Sequence, residues 1–207
     1  MARYASEKLK EARREEIVSA CEKLYKTLGF KEITMKEIGL ETSFTRASIY
    51  NYFQTKEEIF LALFAREYDK WTEELNELYE KNEVLTNETF AEKLSLTVEK
   101  RKLMLKLLSM NMYDMEESSR EENLAEFKVS YGMSIQAVKR CLDRLTPARS
   151  EEEKESFLYS FFPFLFGLYP YAEVTEKQRK AMEKANVGFV YHSVFDLSYN
   201  TIKNLLK

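Results

Sequence analysis

The segment from Phe30 to Phe60, FKEITMKEIGLETSFTRASIYNYFQTKEEIF, contains the pattern that decides the fold of this 207-residue chain. Thr34 is followed three residues later by Glu37, a capping-box pattern that predicts the start of a helix. The spacing predicts helices over residues 35–41 and 45–53, joined by a tight three-residue connection. Five apolar side chains have the spacing of a small shared core, namely Ile33, Ile38, Phe44, Ile49 and Phe53. The segment therefore predicts a helix-turn-helix, in which the first helix braces the second.

The rest of the chain also predicts helices. It contains only five Gly and three Pro, too few for the many turns of an all-β fold. Capping boxes are expected at Thr34, Thr55, Ser119, Ser150 and Thr175, each followed three residues later by Glu or Gln. We expect an all-α protein of about nine helices, divided into a three-helix head at residues 1–55 and a helical domain at residues 56–207. The predicted helices beyond the central pair cover residues 6–28, 56–82, 88–110, 114–118, 120–145, 150–169 and 176–206.

The composition limits the classes of partner and the location. The net charge is −3, but residues 1–56 contain eleven basic against eight acidic side chains, a balance that permits nucleic-acid binding at this end without proving it. Cys21 and Cys141 have no metal-ligand spacing, and we interpret them as reduced core thiols. The chain begins without a signal-peptide pattern, and its longest apolar run, residues 161–169, is too short for a membrane span. We expect a cytoplasmic protein with no membrane contact.

Patterns typical of enzymes are missing from the sequence. The only histidine, His192, has no second histidine and no Glu-x-x-His spacing near it. The sequence contains no Gly-rich phosphate loop, nucleophile elbow or Cys/His cluster. We therefore expect no cofactor, no metal and no catalysis. An unrecognised helical enzyme remains a distant alternative.

The run from Thr45 to Ile59, TRASIYNYFQTKEEI, resembles the N-terminal domain of the tetracycline-repressor (TetR) family. The likeness covers about fifty residues, including the first helix and its ending at Gly29 and Phe30. It implies a DNA-binding head and a C-terminal ligand-binding and dimerisation domain. Two departures stand out, since Ser43 occupies a turn position where the family often has glycine, and Gly39 replaces the usual alanine. Gly39 should weaken its helix by up to about 1 kcal/mol relative to alanine.

The resemblance and the expected exposure together assign the DNA contacts. Arg46, Ala47 and Ser48 are expected at base edges, where arginine can bind guanine bidentately and alanine suits a thymine methyl group. Lys36 could contact either bases or phosphates, and Arg3, Arg13 and Arg14 are further candidates for the backbone. The full predicted DNA-binding set is Thr34, Lys36, Thr45, Arg46, Ala47, Ser48, Tyr50, Asn51, Tyr52 and Lys56, among which Thr34, Thr45, Tyr50, Tyr52 and Lys56 are assigned to phosphates.

The C-terminal domain gives weaker signals. An apolar stripe is more often packing than a ligand site, so a core position is the alternative interpretation for each of these residues. With that alternative open, the predicted pocket for a small apolar or aromatic ligand consists of Trp71, Met104, Leu108, Met112, Tyr113, Phe162 and Phe166. The last two predicted long helices are expected to form a homodimer that binds a palindromic operator in double-stranded DNA. The favoured function is a repressor released by a small ligand. Control by a protein partner, or activation instead of repression, remains open.

Overall fold

The computed structural model describes residues 2–110 and 112–207, with side chains from Glu7 onward. The described residues form helices and contain no strand, which confirms the all-α prediction. There are eleven helices in this part of the chain instead of about nine. They are α1 (Ala2–Tyr25), α2 (Met35–Leu40), α3 (Arg46–Ile49), α4 (Lys56–Lys81), α5 (Asn87–Glu99), α6 (Lys102–Leu108), α7 (Met112–Glu117), α8 (Glu121–Leu145), α9 (Glu151–Ala172), α10 (Glu176–Lys184) and α11 (Val194–Leu205).

Two of the predicted helices are each divided in the structure. The predicted helix 88–110 is interrupted at Lys100 and Arg101, between α5 and α6. The predicted helix 176–206 is also wrong, because residues 185–193 separate α10 from α11. Asn186 has a φ of 54°, the left-handed conformation that ends a helix, and Ser193 starts α11 with a capping box to Asp196.

Side-chain caps begin several helices as the sequence predicted. Ser150 forms a full capping box with Glu153 at α9, and Thr175 accepts a hydrogen bond from the amide of Gln178 at α10. The predicted box at Ser119 is wrong, because its buried hydroxyl has no hydrogen-bond partner among the described residues. Thr86 caps α5 by accepting from the amide of Thr89, a start that the search for Glu or Gln at the third position missed.

The positive φ angles expected at Gly29 and Ser43 in the head are absent. No described glycine has a positive φ, so Gly29 does not form the left-handed cap, and α1 ends earlier, at Tyr25. Among the non-glycine residues described, only Asn186 has a positive φ, so Ser43 needs no glycine-like conformation. The amide of Ser43 instead donates to the carboxylate of Glu16 on α1. This hydrogen bond fastens the turn to the first helix.

The described chain consists of two compact units. The first contains residues 2–66 and 112–130, and the second contains residues 67–110 and 131–207. The boundary predicted after residue 55 stays a prediction.

The core of the first unit is built around the aromatic side chains of α4. Phe60 packs edge-on against Tyr25 and Phe30, with ring centroids 5.1 and 4.8 Å apart. Phe64 packs against Phe127 of α8 at 4.9 Å. Each fully buried phenylalanine contributes roughly 1.5–3 kcal/mol. Four of the five predicted core residues of the helix-turn-helix are fully buried, namely Ile33, Ile38, Ile49 and Phe53.

The second unit has a core centred on a single tryptophan. Trp71 is fully buried, its indole N–H donates to the hydroxyl of Thr97 at 3.0 Å, and its ring lies near Phe161 and Phe162. Helix α11 packs against α5 and α9, and α6 packs against α9. Cys21 in the first unit and Cys141 in the second are buried free thiols, as predicted. No helix among the described residues is both long and apolar enough to cross a membrane.

Candidate nucleic-acid interface

Helices α2 and α3 approach each other closely at one glycine. Thr34 caps α2 by accepting hydrogen bonds from the amides of Lys36 and Glu37 at 3.2 and 3.4 Å. At the other end of α2, a Cβ atom on Gly39 would lie 3.2 Å from the Cβ atom of Arg46, the first residue of α3. Such a contact is tighter than ordinary van der Waals packing. Glycine at this position therefore permits the close approach of the two helices, in addition to lowering helix propensity.

The second helix of the helix-turn-helix, α3, is shorter than predicted. It covers Arg46–Ile49 instead of residues 45–53, and the chain continues through a tight turn. In this turn the amide of Tyr52 donates to the carbonyl of Ile49 at 2.8 Å, an i to i+3 hydrogen bond. Thr45 precedes α3 without a capping hydrogen bond, and its hydroxyl lies 3.0 Å from that of Ser48.

Most of the predicted DNA-binding residues are exposed to solvent. Ile49 and Phe53 are buried, so the opposite side of α3 and its turn faces solvent. The guanidinium of Arg46 donates to the hydroxyl of Tyr50 at 3.3 Å, one helical turn away. Three members of the set are only half-exposed, namely Ser48, Tyr52 and Lys56. The exposed members are Thr34, Lys36, Thr45, Arg46, Ala47, Tyr50 and Asn51.

Lys56 points into the head. Its ammonium donates to the carbonyls of Phe30 and Ile33 at 2.8 and 3.0 Å and lies 4.1 Å from the centroid of the Phe30 ring. Two of its three donors are therefore used inside the protein. This geometry gives Lys56 a structural role in the head that the sequence assignment to DNA phosphates did not include.

A buried carboxylate holds the segment between α3 and α4. Glu58 is 1% exposed, and its oxygens accept from the amide of Gln54 at 2.7 Å, from the amide of Arg120 at 3.1 Å, and from the Arg120 guanidinium at 2.7 and 2.9 Å. The same guanidinium donates to the carbonyl of Tyr52 at 3.2 Å. Burial raises the pKa of Glu58, but the hydrogen bonds from Arg120 and Gln54 outweigh it and lower the pKa to about 2.

The additional arginine candidates differ in their surroundings. Arg13 lies 5.7 Å from the ring centroid of Phe44. Arg14 forms an ion pair with Glu126 and lies 5.1 Å from the ring centroid of Phe53, so it contributes to packing inside the first unit. Arg3 has a side chain outside the described residues.

Family comparisons agree with this geometry. Residues 17–63 match the model described as "Bacterial regulatory proteins, tetR family". Residues 65–200, about two thirds of the chain, match "Tetracyclin repressor-like, C-terminal domain". The chain belongs to the TetR family. Its members are transcriptional regulators and not enzymes.

Individual TetR-family relatives are distant. An "Uncharacterized HTH-type transcriptional regulator YfiR" from Bacillus subtilis (strain 168) is 32% identical over 75 residues, which cover 36% of this chain and 37% of that protein. The crystal structure of AmtR from Mycobacterium smegmatis has a TM-score of 0.54 at 19% identity and covers 93% of this chain and 85% of its own. The MbdR regulator from Azoarcus sp. CIB has a TM-score of 0.52 at 16% identity, with coverage of 93% and 98%. At these identities the two structures support the TetR fold alone.

The predicted ligand residues are distributed over both compact units. Met112 and Tyr113 belong to the first unit, and Tyr113 is 83% exposed. The other five predicted residues, including Met104 and Leu108 of α6, belong to the second unit. Trp71 and Phe162 are in contact, with ring centroids 5.9 Å apart.

Phe162 borders a cavity of the second unit. That cavity lies between α8 and α9. Trp71, Met104 and Leu108 are buried, whereas Phe166 is 39% exposed. Burial of these three residues fits the core alternative, and the ligand assignment of the set stays a prediction.

Proposed function

We propose that this TetR-family protein binds a palindromic DNA operator as a homodimer and represses transcription until a small ligand releases it. The observation that carries the DNA-binding part is the surface of α3 and its turn. Arg46, Ala47, Tyr50 and Asn51 are exposed there, while Ile49 anchors the helix in the head. A short helix with this arrangement can enter the major groove and present its polar side to base edges. This activity requires the cytoplasm, where the chromosome is accessible.

Within this proposal Arg46 reads a base. Among the described residues, the Tyr50 hydroxyl is the one hydrogen-bond partner of its guanidinium, and Tyr50 is exposed, so a guanine can replace this partner at little cost. Lys36 is exposed and serves as the phosphate contact of the same surface. The remaining exposed residues of the predicted set, together with the half-exposed Ser48 and Tyr52, position the head on the duplex.

The proposed dimer uses an exposed apolar stripe on α9. Tyr159, Pro163, Phe166 and Pro170 lie on one side of this helix at intervals of three and four residues. Tyr159 is 79% exposed and Phe166 is 39% exposed in the single chain. Large exposed apolar patches in soluble proteins mark interaction surfaces, and a two-fold dimer places two heads on two half-sites.

The test begins with selection of bound DNA from a random pool, followed by fluorescence anisotropy across a salt series. Arg46→Ala should weaken the free energy of operator binding by about 1–3 kcal/mol. It should also remove the base preference at one position of each half-site. Lys36→Ala should weaken all sequences equally and reduce the salt slope by about one. Lys184→Ala, in the exposed helix α10, is the control and should leave both quantities unchanged. Unchanged relative affinities after Arg46→Ala would refute the base contact.

Release is tested separately with the selected operator. Compounds are screened for ligand-dependent loss of the complex, and a reporter gene in cells distinguishes repression from activation. Loss that requires a cell extract and not a small molecule would favour control by a protein partner.

A further inference from the structure

A partly enclosed cavity of about 200 Å³ lies between α8 and α9 in the second unit. Its wall is largely aromatic and aliphatic, formed by Tyr131 and Ile135 of α8 and by Tyr159 and Phe162 of α9. The rings of Tyr131 and Phe162 meet edge to face, with centroids 5.7 Å apart. An apolar cavity of about 150 Å³ holds a benzene molecule, so this volume suits one ring with a short substituent.

The charges at the rim favour a cation. Lys139 borders the cavity, but its ammonium is paired with Glu151 at 3.1 Å. Lys154 is paired with Asp143 and with the same Glu151, at 2.7 and 2.8 Å. Glu155 also borders the cavity, and its carboxylate makes no hydrogen bond or ion pair within 4 Å to any residue that the structure describes. The unpaired charge at this rim is therefore negative.

A proline beside the cavity also leaves one backbone acceptor of α9 without its usual helical donor. Pro163 has no N–H and cannot donate the helical hydrogen bond that the carbonyl of Tyr159 would otherwise accept. Both residues border the cavity. A carboxylate, a carbonyl without its helical donor, and the faces of aromatic rings are the groups that bind an organic ammonium ion.

We propose that this cavity binds a small organic cation, a single ring with one ammonium group, which packs between Tyr131, Tyr159 and Phe162 and pairs with Glu155. A regulatory role of the site rests on the ligand-controlled release proposed above. Binding of the cation does not depend on that proposal. Tyr159 and Pro163 belong both to this cavity and to the exposed stripe of α9 proposed for the dimer, so the measurements use the full chain in its own oligomeric state.

The probe is benzylammonium, compared by calorimetry with its neutral isostere benzyl alcohol and with the anion benzoate. We expect a dissociation constant on the order of 0.1–1 mM for benzylammonium, because ligands of this size bind weakly. Benzyl alcohol should bind about tenfold more weakly, and benzoate should not bind. Equal binding of all three, or preference for benzoate at Lys139, would overturn the proposal. Absence of binding by all three compounds would also overturn the proposal, and this result is expected if a second copy of the chain fills the cavity.

Two variants locate the site. Glu155→Gln keeps the shape of this exposed side chain and should weaken benzylammonium about three- to fivefold, with no effect on benzyl alcohol. Glu152→Gln, an exposed acid on α9 that does not line the cavity, is the matched control and should change neither. Ile135→Phe adds volume to the wall and should abolish binding, with the helical circular dichroism spectrum retained. Full binding by both Glu155→Gln and Ile135→Phe would place the probe elsewhere and refute the site.

Operator release distinguishes the failure of this site from failure of the proposed function. Benzylammonium that binds with the expected dependence on Glu155 but leaves the operator complex intact supports the site and contradicts its regulatory role. A different compound that releases DNA equally from wild type and from Ile135→Phe supports ligand control and contradicts this cavity as its origin.

Discussion

Removing the charge of Glu58 should destabilise the head in a manner that depends on pH. The carboxylate is 1% exposed and accepts four hydrogen bonds, three of them from Arg120 and one from the amide of Gln54. Glu58→Gln keeps the size of the side chain but replaces one accepting oxygen with a donating NH₂ group. That group faces donors, which leaves buried polar atoms without partners.

The magnitude follows from the pKa. The ordinary pKa of a glutamate side chain is 4.5, and the folded protein lowers the pKa of Glu58 to about 2. Each unit corresponds to about 1.36 kcal/mol, so the ionised carboxylate contributes on the order of 3 kcal/mol to folding. Because the folded pKa is the lower one, this contribution is complete above the ordinary value. It is lost as the pH falls from about 5 to about 2.

The assay is urea unfolding of wild type and Glu58→Gln at several pH values between 7 and 2, followed by helical circular dichroism. Protein concentration is held constant because the stability of a dimer depends on it. The variant should lose on the order of 3 kcal/mol at pH 7, and its difference from wild type should shrink towards pH 2. Glu57→Gln, the neighbouring half-exposed acid, is the matched control and should follow wild type at every pH.

Parallel stability profiles of wild type and Glu58→Gln from pH 7 to pH 2 would refute this reasoning. A second readout connects the carboxylate to function. Glu58 holds the amide of Gln54 and, through Arg120, the carbonyl of Tyr52, and both groups directly follow α3. We therefore expect Glu58→Gln, but not Glu57→Gln, to weaken operator binding.

Two other predictions follow from the head and from the segment after α10. Lys56→Met should lower the free energy of unfolding by about 1–3 kcal/mol, because two charged hydrogen bonds to carbonyls are lost. The control is Lys36→Met at an exposed position, and equal stability of the two variants in urea would contradict the prediction. The sequence prediction of the dimer also included the segment of Val190, which is 68% exposed, whereas Val194 is 2% exposed. Val190→Asp should therefore yield folded monomers in sedimentation, and Val194→Asp should lose helical signal. A Val190→Asp protein that remains dimeric would exclude this segment from the interface.

The sequence predicted the parts of the fold that depend on local patterns. The 3.6-residue period placed Ile38 and Ile49 in the core and left Arg46 exposed, because burial within a short helix follows its periodicity. Capping patterns predicted the starts of α9 and α10, because a cap involves residues only three positions apart in the chain. The start of α11 was missed because Asp196, instead of Glu or Gln, completes the box with Ser193.

The contacts that organise the candidate site could not be predicted from local patterns. Lys56 binds carbonyls 23 and 26 residues earlier in the chain, and Glu58 binds Arg120, 62 residues later. A lysine whose ammonium is exposed and a lysine whose side chain packs inside the protein have the same local sequence pattern. Only the tertiary structure distinguishes them. Local patterns also failed for the apolar residues between α10 and α11. Val187 and Val190 fit a helical period, but they lie outside the helices of the structure.

Lys56 and Glu58 together fasten both ends of the helix-turn-helix to the first turn of α4. The cation holds the carbonyls of Phe30 and Ile33, which precede α2, and the anion holds the amide of Gln54, which follows α3. Each charge is matched to the backbone group that it can bind, since an ammonium only donates and a carboxylate only accepts. With both ends held in this way, a movement of the first turn of α4 displaces α2 and α3 together. The groups that would read DNA therefore change position as a unit, without a separate hinge between α3 and α4.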